Sequence, residues 1–142
     1  MVLITPEDCP KLDIPEIDAQ HETMIGLVNQ VHQAMLKASD RTVLDGLLAE
    51  LMDYTRGHCA YEEQLMVKYD YPRYEAHKAE HVRLLSHLGD LIDRYRQGDV
   101  LLSFAVVLEL KNWACIHIEK SDRLLGVFLN DRIGAETSGP SG

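Results

Sequence analysis

The sequence predicts an all-α protein, specifically an antiparallel up-down-up-down four-helix bundle. Apolar residues recur at three- and four-residue steps over most of the 142 residues, which is the period of an α-helix. Short breaks with helix-capping residues divide this pattern into four runs, and no window alternates as a strand between turns would. Because short connections make consecutive helices antiparallel, a simple bundle is the expected architecture.

Each of the four runs carries its own apolar stripe. The first contains Met24, Leu27, Val28, Val31 and Met35; the second contains Leu44, Leu47, Leu48, Leu51 and Leu65; the third contains Tyr74, Leu84, Leu88, Leu91 and Tyr95; the fourth contains Val106, Leu110, Trp113, Leu124 and Phe128. In the breaks between them, Asp40 and Asp99 suit helix N-caps and Pro72 suits a first helical position. We expect an N-terminal arm over residues 1–14, the bundle over 15–130 and a flexible tail over 131–142.

Composition restricts the partners of the protein. A formal net charge of −9 argues against binding to nucleic acid or to an anionic membrane surface. No apolar stretch approaches the roughly 18 residues of a membrane span, and the first residues do not resemble a signal peptide. Three widely spaced cysteines do not suggest a disulfide framework. We therefore expect a cytoplasmic protein, and a monomer.

Polar residues that can bind metal interrupt the apolar stripes. His21 lies near the start of the first helix, His58 and Glu62 near the end of the second, His77 and His81 near the start of the third, and His117 towards the end of the fourth. In an antiparallel bundle these four places meet at one end. A histidine or carboxylate that faces a core must be paired, protonated or bound to a metal. The pattern therefore predicts a shared metal site.

The number of donors indicates two metal ions. Residues four apart lie on one helical face, so His58 with Glu62 and His77 with His81 can each reach one cluster. Asp122 follows His117 by five residues, about 140° around an ideal helix, so it approaches from the flank or the helix is distorted. Five imidazoles and two carboxylates exceed one tetrahedral zinc site. Imidazole suits iron, copper, nickel or zinc.

Several polar residues near this pattern are given ordinary structural roles. We expect His32 and His87 to be surface residues and Glu63 to be a surface charge. Cys59 and Cys115 each neighbour a predicted ligand, and we interpret both as small buried apolar residues. The alternative for them is thiol redox chemistry, which would need an exposed thiolate.

Four segments of the sequence resemble the hemerythrin family, most closely its free-standing bacterial members. They are Asp18-Ala19-Gln20-His21, His58-x-x-x-Glu62-Glu63-x-x-Met66, His77-x-x-x-His81 and Trp113-x-x-x-His117-Ile118-x-x-x-Asp122. The likeness covers roughly residues 12–125. Seven positions in order over four segments are more specific than any single motif.

The resemblance implies a role for each matching residue. One non-haem iron would be bound by His77, His81 and His117, and a second, with an open position for O2, by His21 and His58. Glu62 and Asp122 would bridge the irons, together with an oxo or hydroxo group. The O2 pocket would include Cys59, Trp113, Ala114 and Ile118. Cys59 and Ala114 stand where relatives often have phenylalanine and leucine, which predicts a thinner pocket wall.

The function implied is reversible binding of dioxygen for carriage, storage or delivery, without a catalytic residue. The alternatives within the same site are an oxygen, redox or nitric oxide sensor and a peroxide-handling protein with weak oxidase or peroxidase activity. A further alternative is a zinc peptidase, because His77-Lys78-Ala79-Glu80-His81 matches H-x-x-E-H. That motif is weak alone, since it leaves three of the five histidines unexplained.

Overall fold

The computed structural model describes residues 11–37, 40–97 and 104–138. Four long helical stretches account for nearly all of this part of the chain. They are α1 (Pro15–Leu36), α2 (Arg41–Lys68), α3 (Tyr74–Arg96), and a last stretch made of α4 (Phe104–His117), a π-helical turn (Ile118–Asp122, the π segment) and α5 (Arg123–Ser138). The described residues contain no strand. The predicted all-α fold class is confirmed.

Local sequence signals explain where the first two helices begin. Pro15 occupies the first turn of α1, where a missing N–H costs no hydrogen bond. Asp40 caps α2, since its side chain accepts a hydrogen bond from Val43 N at 3.1 Å. Pro72 precedes α3 by two residues instead of occupying its first position. The predicted cap Asp99 lies outside the described residues.

A Schellman motif ends α2 at the end of the bundle that carries the predicted ligands. Tyr71 N donates to Met66 O at 2.9 Å and Asp70 N donates to Val67 O at 3.3 Å. Asp70 has a φ of 58°, the left-handed conformation that this motif requires. Tyr71 and Met66 also belong to one apolar cluster. The turn therefore fixes the start of α3 against the end of α2.

The helices contact one another around the bundle, α1 with α2, α2 with α3 and α1 with α4. Apolar side chains form two separate clusters. The larger, in the body of the bundle, includes Val31, Leu48, Leu88 and Leu110. The smaller includes Ile17, Met66, Leu125 and Leu129. No helix in the described part of the chain is apolar over the length that crossing a bilayer requires.

The described end of the N-terminal arm packs against α5. Leu12 is buried, its N–H donates to Asp18 Oδ1 at 2.8 Å, and its carbonyl accepts from Asn130 Nδ2 at 2.7 Å. A Cβ on Gly126 would lie 3.0 Å from that of Leu12, so glycine permits this close approach. The last helix continues to Ser138, past the predicted bundle boundary at residue 130, so the described part of the predicted tail is helical.

Candidate metal centre

Seven polar side chains from all four helical stretches converge in one buried cluster. They are His21 on α1, His58 and Glu62 on α2, His77 and His81 on α3, His117 on α4 and Asp122 in the π segment. Each is at most 6% exposed. The structure thus brings together every residue for which the sequence predicted a metal-binding role.

All five imidazoles present Nε2, and not Nδ1, to the two carboxylates. His21 Nε2 lies 2.8 Å from Asp122 Oδ2, and His81 Nε2 lies 2.9 Å from Glu62 Oε1. His77 Nε2 lies between both carboxylates, 3.1 Å from Glu62 Oε1 and 3.0 Å from Asp122 Oδ1. A uniform orientation leaves every Nδ1 pointing outwards, as in metal sites whose ligands are supported from behind.

The donors form two groups that share their carboxylates. One, the three-histidine group, contains His77, His81 and His117 with Glu62 and Asp122. The other, the two-histidine group, contains His21 and His58 with the same Glu62 and Asp122. Within each group the ligand atoms all lie within 4.8 Å of one another. Two carboxylates common to two donor groups are the arrangement that bridges a pair of ions.

The π segment explains how Asp122 reaches the cluster. Five residues of regular α-helix would rotate Asp122 about 140° away from His117. Instead, Arg123 N donates to Ile118 O, five residues back, so the turn is wider than an α-helical one. Because the extra residue is absorbed there, Asp122 returns to the face of His117, and their Oδ1 and Nε2 lie 3.0 Å apart. The sequence allowed either a flanking approach of Asp122 or a distorted helix, and the structure has the distorted helix.

Three buried ligand atoms have no hydrogen-bond partner among the described residues. They are Glu62 Oε2, His117 Nε2 and Asp122 Oδ1. A buried polar atom left unpaired costs roughly 1–3 kcal/mol. The last two are close together, but their alignment is not that of a hydrogen bond. Polar atoms that converge without pairing fit a cation, which would satisfy all three.

The electrostatics of the cluster favour ionised carboxylates. Burial and the proximity of Asp122 raise the pKa of Glu62, but His58, His77 and His81 outweigh them, and the net shift is downwards. Burial also raises the pKa of Asp122, yet the surrounding imidazoles lower it well below its ordinary value. Both side chains are therefore anionic near neutral pH, the form that binds metal.

The carboxylates act on the imidazoles in return. Burial lowers the pKa of His77, but the nearby carboxylates of Asp122 and Glu62, 3.0 and 3.1 Å from its Nε2, outweigh burial and raise the pKa to about 9. Burial lowers the pKa of His58 too, and the same two carboxylates raise it overall. A cation at this place would replace protons at Nε2 as the compensating positive charge.

Two contacts behind the ligands were not predicted. Glu63 Oε2 lies 3.1 Å from His81 Nδ1, so interpreting Glu63 as a surface charge was wrong. Its direction away from the bundle axis places it at the seam with α3, where the side chain is half-buried. Gln20 Oε1 lies 2.8 Å from His58 Nδ1. The only sequence signal was the position of each residue directly beside a predicted ligand.

The remaining histidines divide between core and surface. His32 is 3% exposed, so the prediction of a surface residue was wrong. It follows Val28 by four residues and therefore lies on the edge of the buried stripe of α1. His87 is exposed as predicted, and its Nε2 lies 3.2 Å from Glu109 Oε1.

The predicted O2 pocket is described only in part. Cys59 and Ile118 are buried beside ligand positions. The side chains of Trp113 and Ala114 lie outside the described residues. Burial, Glu62 and Asp122 raise the pKa of the Cys59 thiol.

Cys115 is disulfide-bonded, unlike Cys59, which is a free thiol. Interpreting Cys115 as a small buried apolar residue was therefore wrong, because it is only half-buried and is bonded through its sulfur. Wide spacing in sequence does not limit proximity in the fold. The cysteine content consequently gives no support to a reducing compartment.

The geometry does not suit a zinc peptidase. The glutamate of the H-x-x-E-H pattern, Glu80, accepts a hydrogen bond from Ser121 and lies 4.0 Å from the outer nitrogen of His117. It is on the outside of the ligand shell, away from the position of a general base beside the metal.

Comparison with known proteins agrees with this geometry. The family model described as "Hemerythrin HHE cation binding domain" matches residues 12–129. Bacteriohemerythrin of Methylococcus capsulatus is 32% identical over 80% of this chain and 86% of its own length. That of Stenotrophomonas maltophilia is 30% identical over 87% and 79%.

Solved structures agree in fold. A crystal structure of a leucine-to-alanine variant of hemerythrin is 30% identical, with a TM-score of 0.81 over 91% of this chain and 98% of that one. Wild-type hemerythrin is 29% identical, with a TM-score of 0.79 over the same shares. The chain belongs to the hemerythrin family.

Proposed function

We propose that this protein binds two iron ions between its seven cluster side chains and uses them to bind dioxygen reversibly. The observation that carries the proposal is that Glu62 and Asp122 belong to both donor groups. Anionic carboxylates shared between imidazole donors suit a pair of first-row transition metal ions. The bacteriohemerythrin relatives support the choice of iron and of dioxygen.

The two donor groups differ in the number of ligands that they offer. The three-histidine group with its carboxylates offers five, and the two-histidine group offers four. If both ions are six-coordinate and share one bridging oxygen, the three-histidine group is complete and the two-histidine group lacks one ligand. We therefore place the open position beside His21 and His58. The irons would supply the electrons that dioxygen accepts on binding.

The protein's own contribution is to orient the ligands and to exclude bulky reactants. Glu62 and Asp122 are 0% exposed and His58 is 1% exposed. Ile118 and Cys59, at 0% and 1%, add apolar wall next to the ligands. A centre this enclosed suits a diatomic ligand better than an organic substrate, which would need a larger open pocket.

The alternative is a sensor of oxygen, redox state or nitric oxide, or a peroxide-handling protein, with the same two irons. Surface clefts in the described part of the chain favour it, because at least three of them are lined by a histidine of the cluster. Their volumes are about 430 Å³ at His58, 210 Å³ at His77 and 420 Å³ at His117. Water in such clefts would promote protonation and loss of reduced oxygen.

The first experiment is metal analysis combined with the visible spectrum of the reduced protein before and after addition of air. Two irons per chain and a new absorption that disappears on removal of oxygen are expected. Two irons with irreversible oxidation would support the sensor or redox alternative. One zinc per chain would contradict both.

Matched histidine variants connect the result to the cluster. His58→Ala should lose iron and the oxygen-dependent absorption. His87→Ala removes an exposed histidine paired with Glu109 and should preserve both. Equal effects of the two substitutions would mean that the absorption does not arise from this cluster.

A further inference from the structure

The outer nitrogens of two ligands in the three-histidine group, His81 and His117, face carboxylates. Glu63 Oε2, from α2, lies 3.1 Å from Nδ1 of His81 on α3, within hydrogen-bond distance. Glu80 Oε2 lies 4.0 Å from Nδ1 of His117, close enough for charge attraction but too far for a hydrogen bond. Both glutamates are on the outside of the ligand shell, so they act on the imidazoles and not on the ions directly.

Among the described residues, no carboxylate lies against the outer nitrogens of the two-histidine group. His58 Nδ1 lies 2.8 Å from Oε1 of Gln20, a neutral amide. His21 Nδ1 is buried and has no hydrogen-bond partner within residues 11–37, 40–97 and 104–138. Negative charge therefore lies behind two ligands of the first group, His81 and His117. A neutral amide, or no hydrogen-bond partner among the described residues, lies behind the ligands of the second group.

A carboxylate behind an imidazole strengthens the bond in front of it. It attracts the Nδ1 proton, which makes Nε2 a stronger donor, and an amide oxygen does this less. Stronger donation stabilises the ferric ion more than the ferrous ion. Both partners also fix the tautomer, because an oxygen that accepts from Nδ1 leaves the Nε2 lone pair for the metal.

We propose that Glu63 and Gln20 are positioning residues that make the two irons electronically unequal. Glu63 favours the ferric state at the three-histidine group, and Gln20 leaves the ferrous state favoured at the two-histidine group. The proposal rests on the proposed di-iron function. It assigns retention of the ferrous state to the iron beside the open position, where dioxygen must find an electron donor.

Reciprocal substitutions test the proposal through the midpoint potentials of the anaerobic di-iron protein. Glu63→Gln should raise the potential of the iron bound by His81, as its ferric preference weakens. A change of roughly tenfold in that preference corresponds to about 59 mV for a one-electron couple. Gln20→Glu should lower a potential by a comparable amount. Either substitution preserves side-chain size.

A charge-matched control separates hydrogen bonding from charge alone. Glu80→Gln removes the same charge beside another ligand, His117, but at 4.0 Å and without a hydrogen bond to the ring. Its shift should be clearly smaller than that of Glu63→Gln. Equal shifts would mean that only charge matters, and would overturn the proposal.

Iron content separates this inference from the proposed function. Two irons bound in the wild type and in both reciprocal variants, with unchanged potentials, would overturn the inference alone. A wild type that binds no iron would overturn the proposed function and the inference with it. A higher midpoint potential in Glu63→Gln and a lower one in Gln20→Glu would support the inference. The direction of each shift is sufficient, so a variant that binds iron too weakly for a complete titration still gives a usable result.

Discussion

Ionisable side chains at the end of this bundle tolerate burial because they neutralise one another. Glu62 and Asp122 would each be costly to bury alone, but both lie against imidazoles that can carry positive charge. The same carboxylates raise the pKa of the Cys59 thiol, because its thiolate would be a further anion beside them. A single environment therefore favours two anions and disfavours a third.

We expect Cys59 to resist alkylation in the folded protein. The thiol is 1% exposed, and burial together with Glu62 and Asp122 raises its pKa, so near pH 8 almost no thiolate forms. Mass spectrometry after treatment with iodoacetamide should find Cys59 unmodified in the native state and modified in urea. Modification of the native protein at the rate of a free thiol would support the alternative of thiol redox chemistry.

At the scale of elements, the π segment is the feature on which the site depends most. It inserts one residue into an otherwise regular helical stretch between His117 and Asp122. Ser121, one residue earlier, contacts Glu80 on α3 instead of the cluster. The wider turn thus selects which side chain becomes the second shared carboxylate.

Exchanging the two residues tests this selection. The double variant Ser121→Asp, Asp122→Ser places the carboxylate four residues after His117, the spacing that would suit a regular α-helix. If the π turn persists, the carboxylate points to α3, and iron content should fall clearly below two per chain. Ser121→Ala alone should keep both irons. Full iron content in the double variant would mean that the helix readily returns to α geometry.

The turn between α2 and α3 offers a prediction on stability. Asp70 adopts a φ of 58°, where glycine has no steric penalty. Asp70→Gly should raise the free energy of unfolding by about 0.5–1 kcal/mol. Glycine avoids the steric cost that the left-handed conformation imposes on an L-residue, and only part of that cost is expected to be recovered. Urea denaturation in a fixed metal state measures it.

A glycine elsewhere provides the control. Asp93→Gly, at an exposed position inside α3, should lower the free energy of unfolding by roughly 1 kcal/mol. A loss of stability in both variants would show that the side chain of Asp70 contributes more than its backbone conformation costs.

At the scale of the whole molecule, the candidate metal centre joins all four helical stretches. Each stretch contributes at least one side chain to the cluster, and the smaller apolar cluster and the arm pack on the other side of it from the main core. Ions bound by every stretch would stabilise the folded chain relative to the unfolded one, because the donors converge only in the fold.

We expect iron loading to raise the melting temperature. Metal at a thousandfold excess over its dissociation constant stabilises by about 4 kcal/mol, which corresponds to roughly 14 °C for a chain of this size. Calorimetry of the metal-free and loaded protein measures the shift. The double variant Glu62→Ala, Asp122→Ala should lose most of it. An unchanged melting temperature in the loaded wild type would contradict a ligand set spanning the bundle.

The amino-acid sequence by itself determined the helices, their antiparallel order and the seven side chains of the cluster. The helical period, and the position of a residue along its helix, depend on spacing in the sequence. His58 and Glu62, four residues apart, therefore could be placed on one helical face without the structure. Tertiary structure alone decided that the last helix widens into a π turn, that Glu63 and Gln20 reach the outer nitrogens of His81 and His58, and that His32 is buried. These features depend on how one helix packs against another, and a local pattern specifies the face of a residue but not its partner across the seam.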